Sequence, residues 1–155
     1  MTKITLRTAE ESDYPFIVSL SPILAQEARF GWHKAETIQK FQDEYIEEML
    51  GEAEEPHITL IADREGTPLG FVHARETSDE LSGEKRCTVP LLAVKEDAQG
   101  SGAGKALMKA VEVWAQTQGY RLMHLEVFST NKQARSFYNG AGYQEETIHM
   151  IKALD

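Results

Sequence analysis

Apolar and polar residues change their rhythm several times along this chain, and each rhythm predicts an element. Ile4-Thr5-Leu6-Arg7 alternates, as a short strand does. Ser12 or Asp13 then caps a helix whose first turn tolerates Pro15 and whose buried face holds Phe16, Ile17 and Leu20. Pro22 is expected to kink or end it, with a second piece from Ile23 towards Phe30. From Thr37, the residues Ile38, Phe41, Tyr45 and Met49 recur at three- and four-residue steps, a helical stripe that Gly51 stops. Two strands follow, His57 to Asp63 and Leu69 to Arg75, joined by the turn residues Glu65-Gly66-Thr67-Pro68.

Thr77 to Glu84 is polar and predicts a loop, and Arg86 to Val94 predicts a strand. Pro90 inside that strand fits only an edge, a bulge or a splayed pair, because proline donates nothing to a ladder. A helix runs from about Gly102, with Leu107, Val111 and Trp114 as its stripe, and ends at Gly119. Leu122 to Phe128 predicts a strand, Lys132 to Asn139 a short helix, and Ile148 to Ala153 a last strand. The order β-α-α-β-β-β-α-β-α-β gives an α/β architecture, a mixed sheet with helices on its faces, in one domain spanning residues 1–155.

Composition narrows the classes. With 41% hydrophobic and 26% charged residues the chain is an ordinary globular one, so disorder is excluded. A net charge of −9 argues against nucleic acid and anionic membranes as partners and mildly favours cationic substrates. Cys87 is the only cysteine, so no internal disulfide forms, and it reads as a small buried residue. The start lacks an apolar secretory core and no run approaches the ~18 residues of a membrane span, which predicts a cytoplasmic protein.

The informative segment is Leu91-Leu92-Ala93-Val94-Lys95-Glu96-Asp97-Ala98-Gln99-Gly100-Ser101-Gly102-Ala103-Gly104-Lys105, an apolar strand entering a glycine turn that opens a helix. Such a helix start presents unpaired amides and a partial positive charge, and glycine lets a ligand approach the backbone, so the turn suits phosphate oxygens. A P-loop is excluded, since Gly104-Lys105 is followed by Ala106 and position 99 is glutamine. A dinucleotide fingerprint is excluded because Lys105 stands where its third glycine belongs. Gln99, Gly102 and Gly104 do satisfy [RQ]-x-x-G-x-[GA].

In that hexapeptide the chain resembles the GNAT acetyltransferases. A second segment strengthens the resemblance: Leu125-Glu126-Val127, then Asn131, Ala134, Phe137-Tyr138 and Gly140-Ala141-Gly142-Tyr143. The resemblance covers nearly the whole chain, the first third only in element order. It implies a mixed, mostly antiparallel twisted sheet flanked by helices on both faces. It implies that Gln99, Gly100, Ser101, Gly102, Ala103, Gly104 and Lys105 hold the pyrophosphate of acetyl-CoA. Leu92, Ala93 and Val94 would pair with the pantetheine arm through a bulged strand that accommodates Pro90, and Asn131, Ala134 and Tyr138 would complete the cofactor contacts. A homodimer is common in that family.

Acetyl transfer to an amine needs a neutral nitrogen, and freeing the lone pair of an alkylamine of pKa ~10.4 at pH 7 costs about 4–5 kcal/mol. The resemblance makes Tyr138 the acid that assists the leaving thiolate. Glu126 matches the glutamate that serves as base in ribosomal-protein alanine N-acetyltransferases. A structural strand carboxylate is an equal reading of Glu126; His124 lies on the same strand face, His73, Glu76 and Glu84 are weaker candidates, and deprotonation through water stays open. His124 and Glu126 lack a third ligand at a recognisable spacing, so no metal is expected. Phe30, Trp32, His33 and the acidic helix from Thr37 to Leu50 are the expected acceptor side.

The function expected is direct transfer of acetyl from acetyl-CoA to a primary amine of a small molecule or peptide, with no acyl-enzyme. A CoA-binding sensor without turnover and an acidic protein-interaction module are the alternatives.

Overall fold

A computed structural model describes residues 3–154. Five strands form one sheet in the order β1-β2-β3-β4-β5: β1 Ile4–Thr8, β2 His57–Arg64, β3 Thr67–Ser78, β4 Lys85–Val94 and β5 Met123–His124. The first three pairings are antiparallel and β4 with β5 is parallel, so the sheet is mixed and mostly antiparallel, as expected. The helices are α1 Tyr14–Ser19, α2 Ser21–Gln26, α3 Ala35–Met49, α4 Ala103–Thr117 and α5 Lys132–Gly140. Within the described residues no helix is long and apolar enough to cross a membrane.

Apolar side chains sort onto the two faces of the sheet. Leu107, Val111 and Ala115 of α4 pack with Leu60, Val72 and Cys87 on one face. Ile17 of α1 and Ile46 of α3 pack with Ile61, Phe71 and Leu91 on the other. Each Leu, Ile, Val or Phe among them contributes roughly 1.5–3 kcal/mol by leaving water, so the helices are held by their stripes rather than by intrinsic propensity.

A β-bulge in β4 turns that strand over. His73 pairs with Leu91 and Arg75 with Thr88, so Val89 and Pro90 together face the single residue Ala74. Before the bulge, Cys87 and Val89 point to the α4 face; after it, Leu91 and Ala93 point to the opposite face, while Leu92 and Val94 pack towards α4. The expectation that Pro90 marks a bulge or splay is met.

Two expected strands differ. The strand expected over Leu122 to Phe128 is reduced to Met123–His124, because only Cys87 and Thr88 of β4 pair with it before the two diverge. The strand expected over Ile148 to Ala153 does not form: the sheet ends at β5, and Ile148, Met150 and Ile151 are exposed. Adjacent apolar residues at Met150-Ile151 also break the alternation that a half-buried strand needs. The break expected at Pro22 is met: α1 ends at Ser19, and Pro22 sits in the first turn of the second piece, α2, which stops at Gln26 short of Phe30. β3 runs on to Ser78, three residues beyond the expected end, and the hairpin turn is Glu65-Gly66, both with positive φ.

Gly70 is required by packing. A Cβ there would lie 2.6 Å from the Ala93 carbonyl oxygen and 3.0 Å from Val94 Cα. Gly70→Ala is therefore expected to lower the unfolding free energy by about 1–3 kcal/mol. Urea melts check this, and a change below about 0.5 kcal/mol would show that β4 yields without cost.

Candidate active site

The chain from β4 into α4 makes a concave backbone surface. After a 3-10 turn at Glu96–Ala98 the backbone passes through Gly100 and Gly102, with φ of 83° and 93°, and enters α4. L-residues avoid such angles, so glycine supports the shape. Among the described residues the amides of Gly100, Gly102, Gly104 and Lys105 find no acceptor, whereas Ala103 donates to Ser101 Oγ at 3.3 Å and Ala106 to the Gly102 carbonyl. Nothing lies within 4 Å of the Cβ positions of Gly100 and Gly102. Open space, free amides and the positive end of a 15-residue helix together suit an anionic group.

Upstream, β4 offers a free backbone edge. Lys95 donates to the Leu69 carbonyl at 2.8 Å, which fixes Leu91, Ala93 and Lys95 as the residues whose backbones face β3. Leu92 and Val94 thus direct their amides and carbonyls the other way, into the gap that opens beyond Thr88 and His124. Gln99 Nε2 approaches the Val94 carbonyl at 3.4 Å and ties the strand end to the turn. An extended polar chain laid in this gap would find strand-like partners leading to the amides of the turn. Of the three residues expected along the arm, Ala93 faces β3 with its backbone and buries its side chain in the core, so Leu92 and the Val94 amide carry the free edge.

α5 follows β5 in the chain and packs its Phe137 and Tyr138 against the α4-face core. Asn131 caps the helix, its side-chain Oδ1 accepting from the Ala134 amide at 3.1 Å, so that Oδ1 and the Ala134 amide are committed to each other. Tyr138 lies against the α4-face core with its ring 5.2 Å from Phe137 and 5.6 Å from Tyr143. Burial pushes its phenol up to about 12. No hydrogen bond to its hydroxyl occurs among the described residues, unlike Tyr143, whose hydroxyl donates to Glu112 at 2.8 Å.

The opposite face gathers ionisable groups. Glu126 follows β5 and is exposed, and its charge, after burial, helps hold the Tyr45 phenol above its usual range. Arg75 donates to the Met49 carbonyl at 2.8 Å and, at 3.3 Å, to His73 Nε2. His73 Nδ1 then donates to Thr59 Oγ1 at 2.7 Å, so the ring is neutral with both nitrogens engaged. Burial, with the Arg75 charge next, lowers His73 to about 3. An engaged, fully buried imidazole serves the core and is removed from the candidate bases. Glu76 accepts from Tyr120 at 2.9 Å and Glu84 pairs with Arg121 at 2.7 Å, so both are committed elsewhere.

His73 gives a pH prediction. In the unfolded chain it binds a proton below about 6.5, whereas the buried ring stays neutral to about 3, so acidification favours unfolding. Between pH 6.5 and 5 it is expected to reduce stability by up to about 1.4 kcal/mol per pH unit. His73→Gln should flatten the slope of urea-melt stability against pH; an unchanged slope would refute the assignment.

The expected acceptor side holds an aromatic group that bridges two loops. Phe30 stacks on Trp32 at 5.3 Å and meets Phe128 edge-on at 5.8 Å, and Thr130 donates to the Glu27 carbonyl. A cleft of about 400 Å³ runs from Phe30 between α2 and α3. Phe128, Phe137, Arg75 and Thr88 were given no site role of their own by the sequence, and Tyr45 entered only as part of the helix from Thr37 to Leu50. Phe137 comes within 4.0 Å of a Cβ built on Gly104, so its ring borders the turn; its place beside Tyr138 was the available signal. Thr88 carried none, since its relevance depends on where β4 and β5 part.

The Acetyltransferase (GNAT) family model matches residues 17–143. The chain is 27% identical over 144 residues to the uncharacterized N-acetyltransferase YhfO of Bacillus subtilis, covering 93% of this chain and 92% of that one. It is 33% identical over 125 residues to the mycothiol acetyltransferase of Actinosynnema mirum, covering 81% of this chain but 40% of that protein. Its fold matches a Pyrococcus furiosus structure with a TM-score of 0.80 at 24% identity, over 98% of this chain and 100% of that one. It also matches an aminoglycoside N-acetyltransferase solved in complex with CoA, with a TM-score of 0.70 at 18% identity, over 99% and 96%. Taken with the glycine turn and the parted strands, the family match over residues 17–143 means that this chain belongs to the GNAT acetyltransferase family.

Proposed function

We propose that the protein transfers the acetyl group of acetyl-CoA to a primary amine by direct attack. The observation that carries this reading is continuity: the free edge of Leu92 and Val94 leads into the uncommitted amides of Gly100, Gly102, Gly104 and Lys105. These groups fit a pantetheine arm and a pyrophosphate, and a related fold holds CoA. When bound, acetyl-CoA supplies an activated acyl carbon and a thiolate leaving group. The backbone at Leu92 to Val94 orients the arm, and Gln99 keeps the strand and the turn in register. Tyr138 stays protonated and offers its hydroxyl to the sulfur. Glu126, exposed at the mouth of the gap, meets the incoming ammonium, and the acidic surface steers cationic acceptors there.

The test is thiol release from acetyl-CoA with mass detection of product, across spermidine, neamine and an alanine-initiated peptide. Amine-dependent release with an acetylated product supports the reading. Tight acetyl-CoA binding without turnover on any amine would favour a sensor, and no binding would overturn the proposal.

A further inference from the structure

His124 occupies the last paired position of β5, opposite Thr88, and the strands separate immediately beyond it. Its neighbours Met123 and Leu125 pack towards α4, so strand alternation turns His124 to the same side as Glu126, away from the helix whose start forms the glycine turn. Thr88 Oγ1 meets His124 Nδ1 at 3.0 Å and Thr77 Oγ1 at 2.5 Å, forming a polar row across three strands. Thr77 Oγ1 also accepts from Arg86 Nε at 3.5 Å. If Thr88 donates to Thr77, it accepts from Nδ1–H, which leaves the lone pair of Nε2 unengaged.

Resting on the acetyl-transfer reading above, we propose that His124 takes the proton that the acceptor nitrogen loses as it bonds to the acetyl carbon, with Thr88 as the positioning residue that holds the ring in its basic tautomer. Glu126, two residues on, holds the ammonium before attack, and the first proton leaves to solvent. The N–C bond then forms and the C–S bond breaks. The second nitrogen proton passes to Nε2 of His124, and the C–S electron pair leaves on sulfur. The sulfur is hydrogen-bonded by Tyr138 and takes a proton from water, and His124 returns its own to solvent. One ammonium and one thioester thus give one amide, one thiol and one proton.

Burial, then the Arg86 charge on β4, hold His124 below its ordinary 6.5, while Glu126, Glu146 and Asp79 oppose that shift. The ring is neutral at pH 7 and able to accept. Activity should accordingly fall on acidification below pH 6.5, as the imidazole gains a proton.

The experiment compares kcat against pH for wild type, His124→Gln, Thr88→Val and Thr88→Ser. Its probes are the best amine of the panel above and the weakly basic 2,2,2-trifluoroethylamine. His124→Gln is expected to lower kcat about 10²-fold on the panel amine and abolish the acidic limb, with a smaller loss on trifluoroethylamine. Thr88→Val should move the limb and Thr88→Ser restore it. Unchanged acetyl-CoA affinity and circular dichroism show that each variant folds. A His124→Gln enzyme that keeps the wild-type limb, or changes only KM, overturns the role of His124 while leaving acetyl transfer standing. A wild-type protein inactive on every amine overturns both.

Discussion

Replacing Gly100 and Gly102 together by alanine is expected to leave the fold intact and to weaken acetyl-CoA binding by roughly 30-fold or more. Both residues have φ near 90°, where an alanine costs about 1–2 kcal/mol. Their Cβ positions meet nothing within 4 Å, so the variant faces backbone strain and no clash. The chain has two outcomes. It can keep the turn at about 2–4 kcal/mol of stability, or relax to negative φ and turn its free amides out of their common direction. Since a ligand binds only the first state, relaxation subtracts that strain from the binding energy, and 1.4 kcal/mol is tenfold in affinity. Titration calorimetry with CoA reads the loss. Gly83→Ala is the control, because Gly83 has φ of 77° but lies in the loop between β3 and β4. Its binding should match wild type. A double variant that binds CoA as tightly as wild type while losing no stability in urea melts, and so has relaxed the turn without cost to binding, would remove the turn from the site.

The turn was legible in the sequence because its physics is local. Glycines at 100, 102 and 104 between an apolar strand and an amphipathic helix define a backbone shape without help from distant residues. The helical stripes were legible for the same reason. Sheet register was not local. That Val89 and Pro90 share one partner, so that Leu91 and Leu92 exchange faces, depends on how β3 and β4 align. Proline signalled an irregularity there but could not say which backbones it would free.

The expected last strand failed for a related reason. Residues 148–153 have strand-like composition, but a strand exists only against a neighbour, and β5 ends at His124. Candidate bases were likewise sorted by partners that sequence does not display. His73 is consumed by Thr59 and Arg75, and Glu84 by Arg121, whereas Glu126 is exposed and His124 keeps one nitrogen unengaged.

Tyr138→Phe is expected to lower kcat about 10²-fold with little change in acetyl-CoA affinity. The ring packs among Phe137, Tyr143 and the α4-face core, and phenylalanine preserves those contacts, so the substitution removes one hydroxyl. That hydroxyl has no hydrogen-bond partner to orphan among the described residues, and stability should change by less than about 1 kcal/mol. Its value lies in the transition state. A phenol raised to about 12 by burial stays protonated at any working pH. It is also a weaker acid than an ordinary thiol at about 8.5, so handing its proton fully to the sulfur is uphill by about 5 kcal/mol. Tyr138 therefore acts by hydrogen-bonding the charge that develops as the C–S bond breaks. A single preorganised donor of that kind is worth about 10²–10³ in rate. The pH profile separates this from complete proton transfer by an ordinary phenol. A basic limb near pH 10 that disappears in Tyr138→Phe would mean that the phenol titrates in the working enzyme, against its burial. A variant slowed at all pH values alike, with binding and melting temperature retained, is the expected result, and full activity in that variant would exclude Tyr138 from the chemistry.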